Sequence, residues 1–308
     1  MKILVTGGAG FIGSHVVDLL LNIGHKVVLI DNLSTGRIEN VNNKAKLYKL
    51  DISNPEINLV FKKEKFDAVF HLAASTNVRK SIENPFNDIK TNILGSINLF
   101  EVCRKNNVKK IIFSSTGGAL YGDAGVIPTP ETYLCNPISP YGVDKLTVEK
   151  YLFYYHKVHD FSAVILRYSN VYGPRQDKKN EGGVVTVFLK NMLAHKPVNI
   201  SGKGSQTRDF VYVRDVARAN ILSLKKIKKK SFNVYNISTK KEISIKNLFK
   251  KISKKTNLNL KPVYTKRING EVDRSSLDNS LAKKELLWDT SYDIDMGVDE
   301  MVKYLKAL

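Results

Sequence analysis

Cysteine is scarce in this sequence: Cys103 and Cys135 are the only two among 308 residues. Two cysteines make no disulfide framework, and these two lack the spacing of a zinc site. We therefore expect no metal site and a reducing, cytoplasmic environment. Long apolar runs are also missing, since none approaches the ~20 residues that a membrane-spanning helix needs. The first residues, Met1–Val5, predict a β-strand and not a signal peptide.

Acidic residues are few beside basic ones: 29 Asp and Glu against 49 Lys and Arg give a formal net charge of +20. Such an excess suits binding to nucleic acid or to an anionic surface. It is equally typical of a lysine-rich, solvated surface. The lysine runs at 225–230 and 250–255 contain no interleaved aromatic residues and no nucleic-acid-binding motif. We therefore favour the solvated surface and expect no nucleic acid partner.

A glycine-rich segment near the start of the chain, Gly-Gly-Ala-Gly-Phe-Ile-Gly at 7–13, predicts a dinucleotide site. It joins a predicted strand to a predicted helix, and a second strand follows: Lys2–Thr6, Phe11–Leu21 and Lys26–Ile30. The glycines permit a tight turn and a close approach of the backbone to a pyrophosphate at the helix N-terminus. Asp31, 18 residues after Gly13, is placed to accept the adenosine ribose hydroxyls. Its charge would repel a 2′-phosphate, so we expect NAD; nearby Arg37 is the one hint of NADP.

Strands and helices then alternate, which predicts a doubly wound parallel sheet of the α/β class, a Rossmann fold. We predict strands at Ala45–Leu50, Asp67–Leu72, Val108–Ser114 and Ser162–Tyr168, and helices at Asn84–Cys103 and Tyr141–Val158. We expect residues 1–169, joined by about 210–235, to form the nucleotide-binding domain. Residues 170–209 and 236–308 are then a smaller α/β lobe for the substrate. Ligands of such sheets bind at the carboxyl ends of the strands.

Tyr141 and Lys145 are four residues apart, so a helix places them on one face. A phenol ordinarily titrates near pH ~10. A neighbouring ammonium group favours its ionised form and brings it within range of acid/base catalysis. Beside a dinucleotide site, the pair predicts hydride-transfer chemistry.

Together these motifs resemble the extended short-chain dehydrogenase/reductase family and, within it, the UDP-glucose 4-epimerases. The resemblance covers almost the whole chain. It rests on the segments 7–13, 31–36, 71–74, 92–96, 114–116, 167–175 and 208–213, on Asp51, on the Tyr141/Lys145 pair and on Gly270-Glu271.

The resemblance implies bound NAD, a UDP-sugar substrate and reversible oxidation at the sugar C4. Tyr141 would be the acid/base at the 4-hydroxyl, Lys145 would lower the pKa of Tyr141 and hold the nicotinamide ribose, and Thr116 would hydrogen-bond the same hydroxyl. The implied cofactor-binding residues are Gly7, Gly10, Phe11, Ile12, Asp31, Asn32, Ser34, Gly36, Asp51, Ile52, Leu72, Ala73, Ala74, Ser75, Asn92, Tyr141, Lys145 and Tyr168. The implied substrate-binding residues are Thr116, Asn170, Val184, Asn199, Arg208 and Arg274.

The sequence departs from the epimerase pattern in three places. The stretch from Thr116 to Tyr121 is one residue longer than in many epimerases, so Ser115 could take the role of Thr116. Ile268 stands where an arginine is expected, which leaves Arg267 or Arg274 to contact the phosphates. Ser275 aligns with a position that limits sugar size, and its small side chain would leave room for an N-acetyl group.

Gly117-Gly118 distinguishes the possible reactions. The related 4,6-dehydratases have an Asp-Glu pair here, and the decarboxylases have a carboxylate in the same loop, so we favour epimerisation. The alternatives are a dehydratase, a decarboxylase or an NAD(P)-dependent reductase, or else a non-catalytic basic protein that binds RNA or a partner. The sequence leaves open which sugar is bound, including N-acetylhexosamine and glucuronate, and whether the carrier is UDP or dTDP. The resemblance also implies a homodimer formed through the Asn84–Cys103 and Tyr141–Val158 helices.

Overall fold

The computed structural model of the protein describes residues 1–176, 182–258, 260–267 and 272–307. Its strands are β1 (Lys2–Thr6), β2 (Lys26–Ile30), β3 (Lys46–Tyr48), β4 (Ala68–His71), β5 (Lys110–Thr116), β6 (Ser162–Tyr168), β7 (Asn170–Tyr172), β8 (Asn199–Ser201), β9 (Thr207–Arg208), β10 (Phe210–Tyr212), β11 (Phe232–Ile237), β12 (Ile243–Ser244) and β13 (Val263–Thr265). Its helices are α1 (Phe11–Asn22), α2 (Ile57–Glu64), α3 (Val78–Glu83), α4 (Pro85–Asp88), α5 (Gly95–Lys105), α6 (Pro140–His159), α7 (Val184–Leu193), α8 (Val213–Lys226), α9 (Ile245–Thr256) and α10 (Ile294–Lys306). A 3₁₀ turn lies at Ile38–Asn40, and π-helical turns lie at Ile89–Leu94 and Ala282–Leu286.

In the described part of the chain, seven parallel strands form one central sheet in the order β3-β2-β1-β4-β5-β6-β11. The predicted doubly wound α/β fold is therefore confirmed. Strand order reverses between β1 and β4, because β2 lies on one side of β1 and β4 on the other. The loops after β1 and β4 consequently diverge and leave a crevice at the carboxyl edge of the sheet.

Both faces of the sheet are buried, as expected for parallel strands. Along β1, Ile3 and Val5 point into the hydrophobic core that contains residues of α1 and α8. Leu4 points into the opposite core, which contains residues of α2, α5 and α6. A third core, built by α7, α9 and α10 around Phe188, Leu248 and Met301, lies outside the sheet.

The segment 210–235 contributes strands to two different sheets. Strand β10 pairs with β7 outside the central sheet, whereas β11 pairs with β6 at the edge of the sheet. Helix α8, between these strands, packs against α1. The division into a cofactor-binding domain and a substrate lobe stays a prediction.

The predicted helix at Asn84–Cys103 consists of α4, a π-helical turn and α5. Asn84 caps α4 by accepting a hydrogen bond from the Asn87 amide. The π turn contains Asn92, whose side chain is buried. Such turns commonly occur at functional sites, and periodicity alone does not predict them.

Strand β5 begins and ends two residues later than predicted, so that it includes Ser115 and Thr116. Thr116 is its last residue and lies opposite Tyr168 of β6 in the sheet. Among the described residues, no helix is both long enough and apolar enough to cross a membrane.

Glu64, at the end of α2, predicts a pH-dependent part of the stability. It is buried and forms ion pairs with Lys2 and, at 2.8 Å, with Lys46. Hydrogen bonds from these lysines and from Tyr48 lower the pKa of Glu64 to about 2. Its contribution is therefore complete above the unfolded pKa of 4.5 and is lost as the pH falls towards 2. Both lysines are partly exposed, so we expect at most about 2 kcal/mol.

The difference in free energy of unfolding between the wild type and Glu64→Gln, measured by urea titration, should shrink as the pH falls from 5 to 2. A difference that stays constant over this range would contradict the assignment.

Candidate active site

The glycine-rich turn after β1 leaves no room for a side chain at Gly7 or Gly13. Gly7 has a φ of +69°, and a Cβ there would lie 2.7 Å from the amide nitrogen of Ala73, after β4. A Cβ at Gly13 would lie 2.1 Å from the carbonyl oxygen of Gly7. Gly10 is the N-cap of α1 and has no side chain to offer its amides. The amides of the first turn can therefore receive a phosphate, as the sequence predicts.

Asp31 follows β2 at the same edge of the sheet. Its carboxylate is buried and accepts hydrogen bonds from the amides of Ala9, at 2.9 Å, and Leu33, at 2.8 Å. Burial raises the pKa of this carboxyl group. Each carboxylate oxygen can accept more than one hydrogen bond, so Asp31 can still accept two ribose hydroxyls. Asn32 donates to Asp51 at 2.7 Å and ties the end of β2 to the loop after β3.

One cleft, here called the first cleft, collects the predicted cofactor-binding residues. All of them except Ser75 and Asn92 line it. Sequence reasoning missed Thr35, Thr76 and Thr91, which also line this cleft. Thr35 belongs to the motif at 31–36, whereas Thr76 and Thr91 belong to no motif and their position follows from the fold. A cleft with glycines at one end and a buried carboxylate at the other fits a dinucleotide.

Asn92 contacts the loop after β4. Its side-chain oxygen accepts a hydrogen bond from the Ser75 amide at 2.8 Å, and its amide group donates to the Ser75 carbonyl at 3.1 Å. The same amide group lies 3.4 Å from a carboxylate oxygen of Asp144. Asn92 and Ser75 thus fix the backbone beside the cleft.

His71 is packed in the interior, in agreement with the interpretation of the sequence. Its Nδ1 lies 2.8 Å from the Thr6 hydroxyl, and its Nε2 lies 2.9 Å from the Ser96 hydroxyl. Ser96 donates to the carbonyl of Asn92, so Nε2 of His71 donates to Ser96 and Nδ1 accepts from Thr6. Burial, together with the charge of Lys145, lowers the pKa of His71 to about 3. A histidine held neutral in this way positions β4 and performs no proton transfer.

Lys145 lies one turn after Tyr141 on α6, as predicted, and its side chain is only 4 % exposed. The ammonium group donates to the Ser114 carbonyl at 2.9 Å and lies 4.8 Å from the centre of the Phe113 ring. Burial lowers the pKa of Lys145 to about 8, against the opposing effect of the Glu149, Asp144 and Asp88 carboxylates. The group is therefore charged at neutral pH and loses its charge within the range of an ordinary assay.

A second cleft adjoins the first. The predicted substrate-binding residues that line it are Thr116, Asn170, Val184, Asn199 and Arg208. Six residues line both clefts: Phe11, Ile12, Thr76, Ser115, Tyr141 and Tyr168. Tyr141 thus stands where a ligand in one cleft would meet a ligand in the other.

Arg274 does not line either cleft. Its side chain is 61 % exposed and forms an ion pair with Glu242 at 2.6 Å. Arg267 forms an ion pair with Asp273 at 2.5 Å. Ile268, Gly270 and Glu271 lie outside the described residues. The proposed phosphate contact from this segment stays a prediction.

Sequence reasoning also missed Arg79, which is exposed and lines the second cleft. Its position shortly after β4 is the signal that could have identified it. Together with Arg208, it adds positive charge to this cleft.

The three hydroxyl side chains at the end of β5 differ in their hydrogen bonding. The Ser114 hydroxyl lies 2.9 Å from that of Tyr168, and Ser115 donates to Glu149 at 2.6 Å. The Thr116 hydroxyl has no hydrogen-bond partner among the residues that the structure describes. It is therefore available to a ligand in the second cleft.

The following residues, Gly117 and Gly118, differ in the space around them. A Cβ at Gly117 would lie 2.2 Å from a methyl carbon of Leu277, whose side chain is buried. A Cβ at Gly118 would meet only Asn170 and Thr116, at 3.8 and 4.0 Å. Leu277 thus fills the space that a side chain at position 117 would need.

Comparisons with known proteins agree with this geometry. The model of the NAD dependent epimerase/dehydratase family matches residues 3–238. The putative UDP-glucose 4-epimerase of Methanocaldococcus jannaschii is 42% identical over 304 residues, which are 99% of this chain and 98% of the relative. The crystal structure of UDP-glucose 4-epimerase from Thermotoga maritima with UDP-glucose is 44% identical, with a TM-score of 0.97 and coverage of 100% of this chain and 99% of the other. The Thermus thermophilus UDP-glucose 4-epimerase complex with NAD is 35% identical, with a TM-score of 0.93 and coverage of 99% of both chains.

Proposed function

The chain belongs to the NAD dependent epimerase/dehydratase family, and on that basis we propose that it is a UDP-glucose 4-epimerase that interconverts UDP-glucose and UDP-galactose. One observation favours epimerisation over dehydration and decarboxylation. The second cleft contains Tyr141 and Thr116, and no Asp or Glu is among the described residues that line it. The described lining can move a proton at C4 and offers no carboxylate to remove one from C5.

The residues of the first cleft would hold NAD, with the pyrophosphate at the start of α1 and the adenosine ribose at Asp31. Bound NAD would supply the acceptor and donor of hydride for C4 of the sugar. Tyr141 takes the proton of the 4-hydroxyl. It returns the proton after the 4-keto sugar has rotated in the site to present its opposite face. Lys145 stabilises the phenolate of Tyr141 through its charge. Thr116 hydrogen-bonds the oxygen at C4.

The space around Gly117 supports epimerisation over dehydration. The related dehydratases, as the sequence resemblance implies, need an Asp-Glu pair at Gly117 and Gly118. Leu277 occupies the space of any side chain at 117. An Asp-Glu pair at these positions would therefore require Leu277 to move as well. The carboxylate that the decarboxylases have in this loop is also missing at Gly117 and Gly118.

The charge of the second cleft supports a nucleoside diphosphate sugar as the substrate. Arg79 and Arg208 supply positive charge, and a guanidinium group binds phosphate oxygens in a bidentate manner. Asn199 and Val184 would contact the uridine. The chain's net charge of +20 would assist recruitment of such an anion.

The test is an assay of purified protein with UDP-galactose and no added reductant, followed by separation of the products. We expect UDP-glucose to form until equilibrium is reached. A parallel panel of UDP-N-acetylglucosamine, UDP-glucuronate and dTDP-glucose identifies the sugar and the nucleotide. The absence of interconversion of every UDP-hexose would refute the proposal.

We further propose a homodimer formed through α6 and the helices that lie beside it. Large apolar side chains are exposed on these elements. Those beside α6 are Ile82 on α3, Phe86 on α4, and Ile89 and Leu94 in the π-helical turn; those on α6 are Val143, Tyr151, Tyr154 and Val158. On α6 these residues are three, four or eight positions apart, which puts them on one side of that helix. A second copy of the chain would cover these residues and remove them from water.

Phe86 is 80 % exposed, so Phe86→Glu should weaken association without a folding defect. Sedimentation equilibrium should give a dimer for the wild type and a dissociation constant raised at least about tenfold for the variant. Leu59→Glu, at an exposed position on α2, is the matched control. An unchanged dissociation constant for Phe86→Glu, or a wild-type monomer, would exclude this interface.

A further inference from the structure

Ser115 and Thr116 are adjacent hydroxyl residues at the junction of the clefts, and only one of them is free to donate. The Ser115 hydroxyl lies 2.6 Å from Oε1 of Glu149. Glu149 lies one turn after Lys145 on α6 and is buried. A hydroxyl group has one proton, so the bond to Glu149 directs the Ser115 proton away from the ligand.

Arg167 fixes the direction of that bond. Its Nε donates to Oε1 of Glu149 at 3.0 Å and its Nη2 donates to Oε2 at 2.6 Å. Both oxygens of Glu149 therefore accept hydrogen bonds from a guanidinium group, the arrangement of an ionised carboxylate, which has no proton to donate. Ser115 is consequently the donor in its bond with Glu149.

Further contacts hold the guanidinium group of Arg167 in place. Its Nη1 donates to the Tyr121 hydroxyl at 2.8 Å, and Tyr121 donates to the side-chain oxygen of Asn236 at 3.0 Å. The pair of Arg167 and Glu149 is buried on both sides. Such a network leaves few alternative arrangements for the Ser115 proton.

We propose that Glu149 is a positioning residue that makes Ser115 an acceptor only, so that Thr116 is the hydroxyl that donates to the oxygen at C4. The inference rests on the proposed function, because it concerns the 4-keto sugar. A keto oxygen can only accept hydrogen bonds. Ser115, whose proton is held by Glu149, would repel it, whereas the free hydroxyl of Thr116 stabilises it.

Two matched pairs of variants test the assignment of the donor. Thr116→Val keeps the shape of the side chain and removes its hydroxyl, and we expect kcat to fall about 10- to 100-fold. Thr116→Ser retains a hydroxyl and should recover most of that loss. Ser115→Ala should lower kcat by less than about threefold, since it removes an acceptor only. An equal or larger loss for Ser115→Ala than for Thr116→Val would overturn the proposal.

The pH profile of kcat tests the position of Glu149. Lys145 is faced by the carboxylates of Glu149 and Asp144 on α6 and of Asp88 on α4, and by the neutral His71 on β4. Glu149→Gln removes the first of these charges, so the loss of activity with rising pH should begin at a lower pH than in the wild type. Glu64→Gln alters another buried, ion-paired carboxylate, outside both clefts, and should leave the profile unchanged. An unshifted profile for Glu149→Gln would count against the proposal.

A double-mutant cycle separates this inference from the proposed function. Urea midpoints of the wild type, Ser115→Ala, Glu149→Gln and the double variant need no catalytic activity. We expect the two substitutions to be non-additive, because Ser115→Ala removes the same hydrogen bond that Glu149→Gln weakens by replacing a charged acceptor with a neutral amide oxygen. Additive shifts would show that Ser115 does not donate to Glu149. If the wild type converts no UDP-hexose, the proposed function fails, and the cycle still decides whether Glu149 holds the Ser115 proton.

Discussion

Replacement of Tyr141 by Phe should lower kcat by about 10²- to 10⁴-fold, the usual contribution of a positioned acid/base group. The substitution removes one hydroxyl group from a side chain that lines both clefts. It leaves the aromatic ring, and the hydrogen bond from its backbone amide to Ser81, in place. We therefore expect the affinity for UDP-sugar and the content of bound NAD to remain within about threefold of the wild type.

The measurement is steady-state interconversion of UDP-galactose, combined with NAD content after denaturation and with calorimetric UDP binding. Tyr151→Phe is the control, because Tyr151 lies on the same helix, is exposed and lines neither cleft. It should change kcat by less than about twofold. Unimpaired function of Tyr141→Phe together with salt-dependent RNA binding would instead support the non-catalytic alternative raised by the net charge.

The parts of the fold and site that the sequence predicted depend on local patterns. The strand, glycine turn and helix at the start of the chain are consecutive, and the chemistry of Gly7, Gly13 and Asp31 follows from their order. The Tyr141/Lys145 pair depends on helical periodicity alone. In each case, residues close in sequence determine the geometry, so the prediction needed no knowledge of distant contacts.

The parts that it did not predict depend on contacts between distant segments. The extension of β5 through Thr116 follows from pairing with Tyr168. The filled space at Gly117 comes from Leu277, 160 residues later in the chain. The bond from Ser115 to Glu149 joins β5 to α6. Sequence reasoning assigned the role to Thr116 but left Ser115 open as an alternative, because nothing near them in the chain shows which proton is engaged.

Lys145→Met should also lower kcat at least about 10²-fold, because it removes the charge that stabilises the Tyr141 phenolate. The wild type should show a further effect of pH. The ammonium group is present below a pKa of about 8 and is lost above it, so kcat should decline as the pH rises through 8. The residual activity of Lys145→Met should lack this decline. Lys150→Met, at an exposed position on the same helix, should behave like the wild type.

The free energy of unfolding of the wild type should rise over the pH interval in which kcat falls. The pKa of Lys145 is about 8 in the folded protein and 10.5 as its ordinary value, so between these limits the unfolded chain binds more protons. Stability attributable to Lys145 therefore rises with pH in this range, while activity falls. Urea titrations of the wild type and Lys145→Met at pH 7.5, 9 and 10.5 should show the wild type gaining relative to the variant. A parallel loss of activity and relative stability would instead identify alkaline unfolding as the cause and remove Lys145 from the acid/base role.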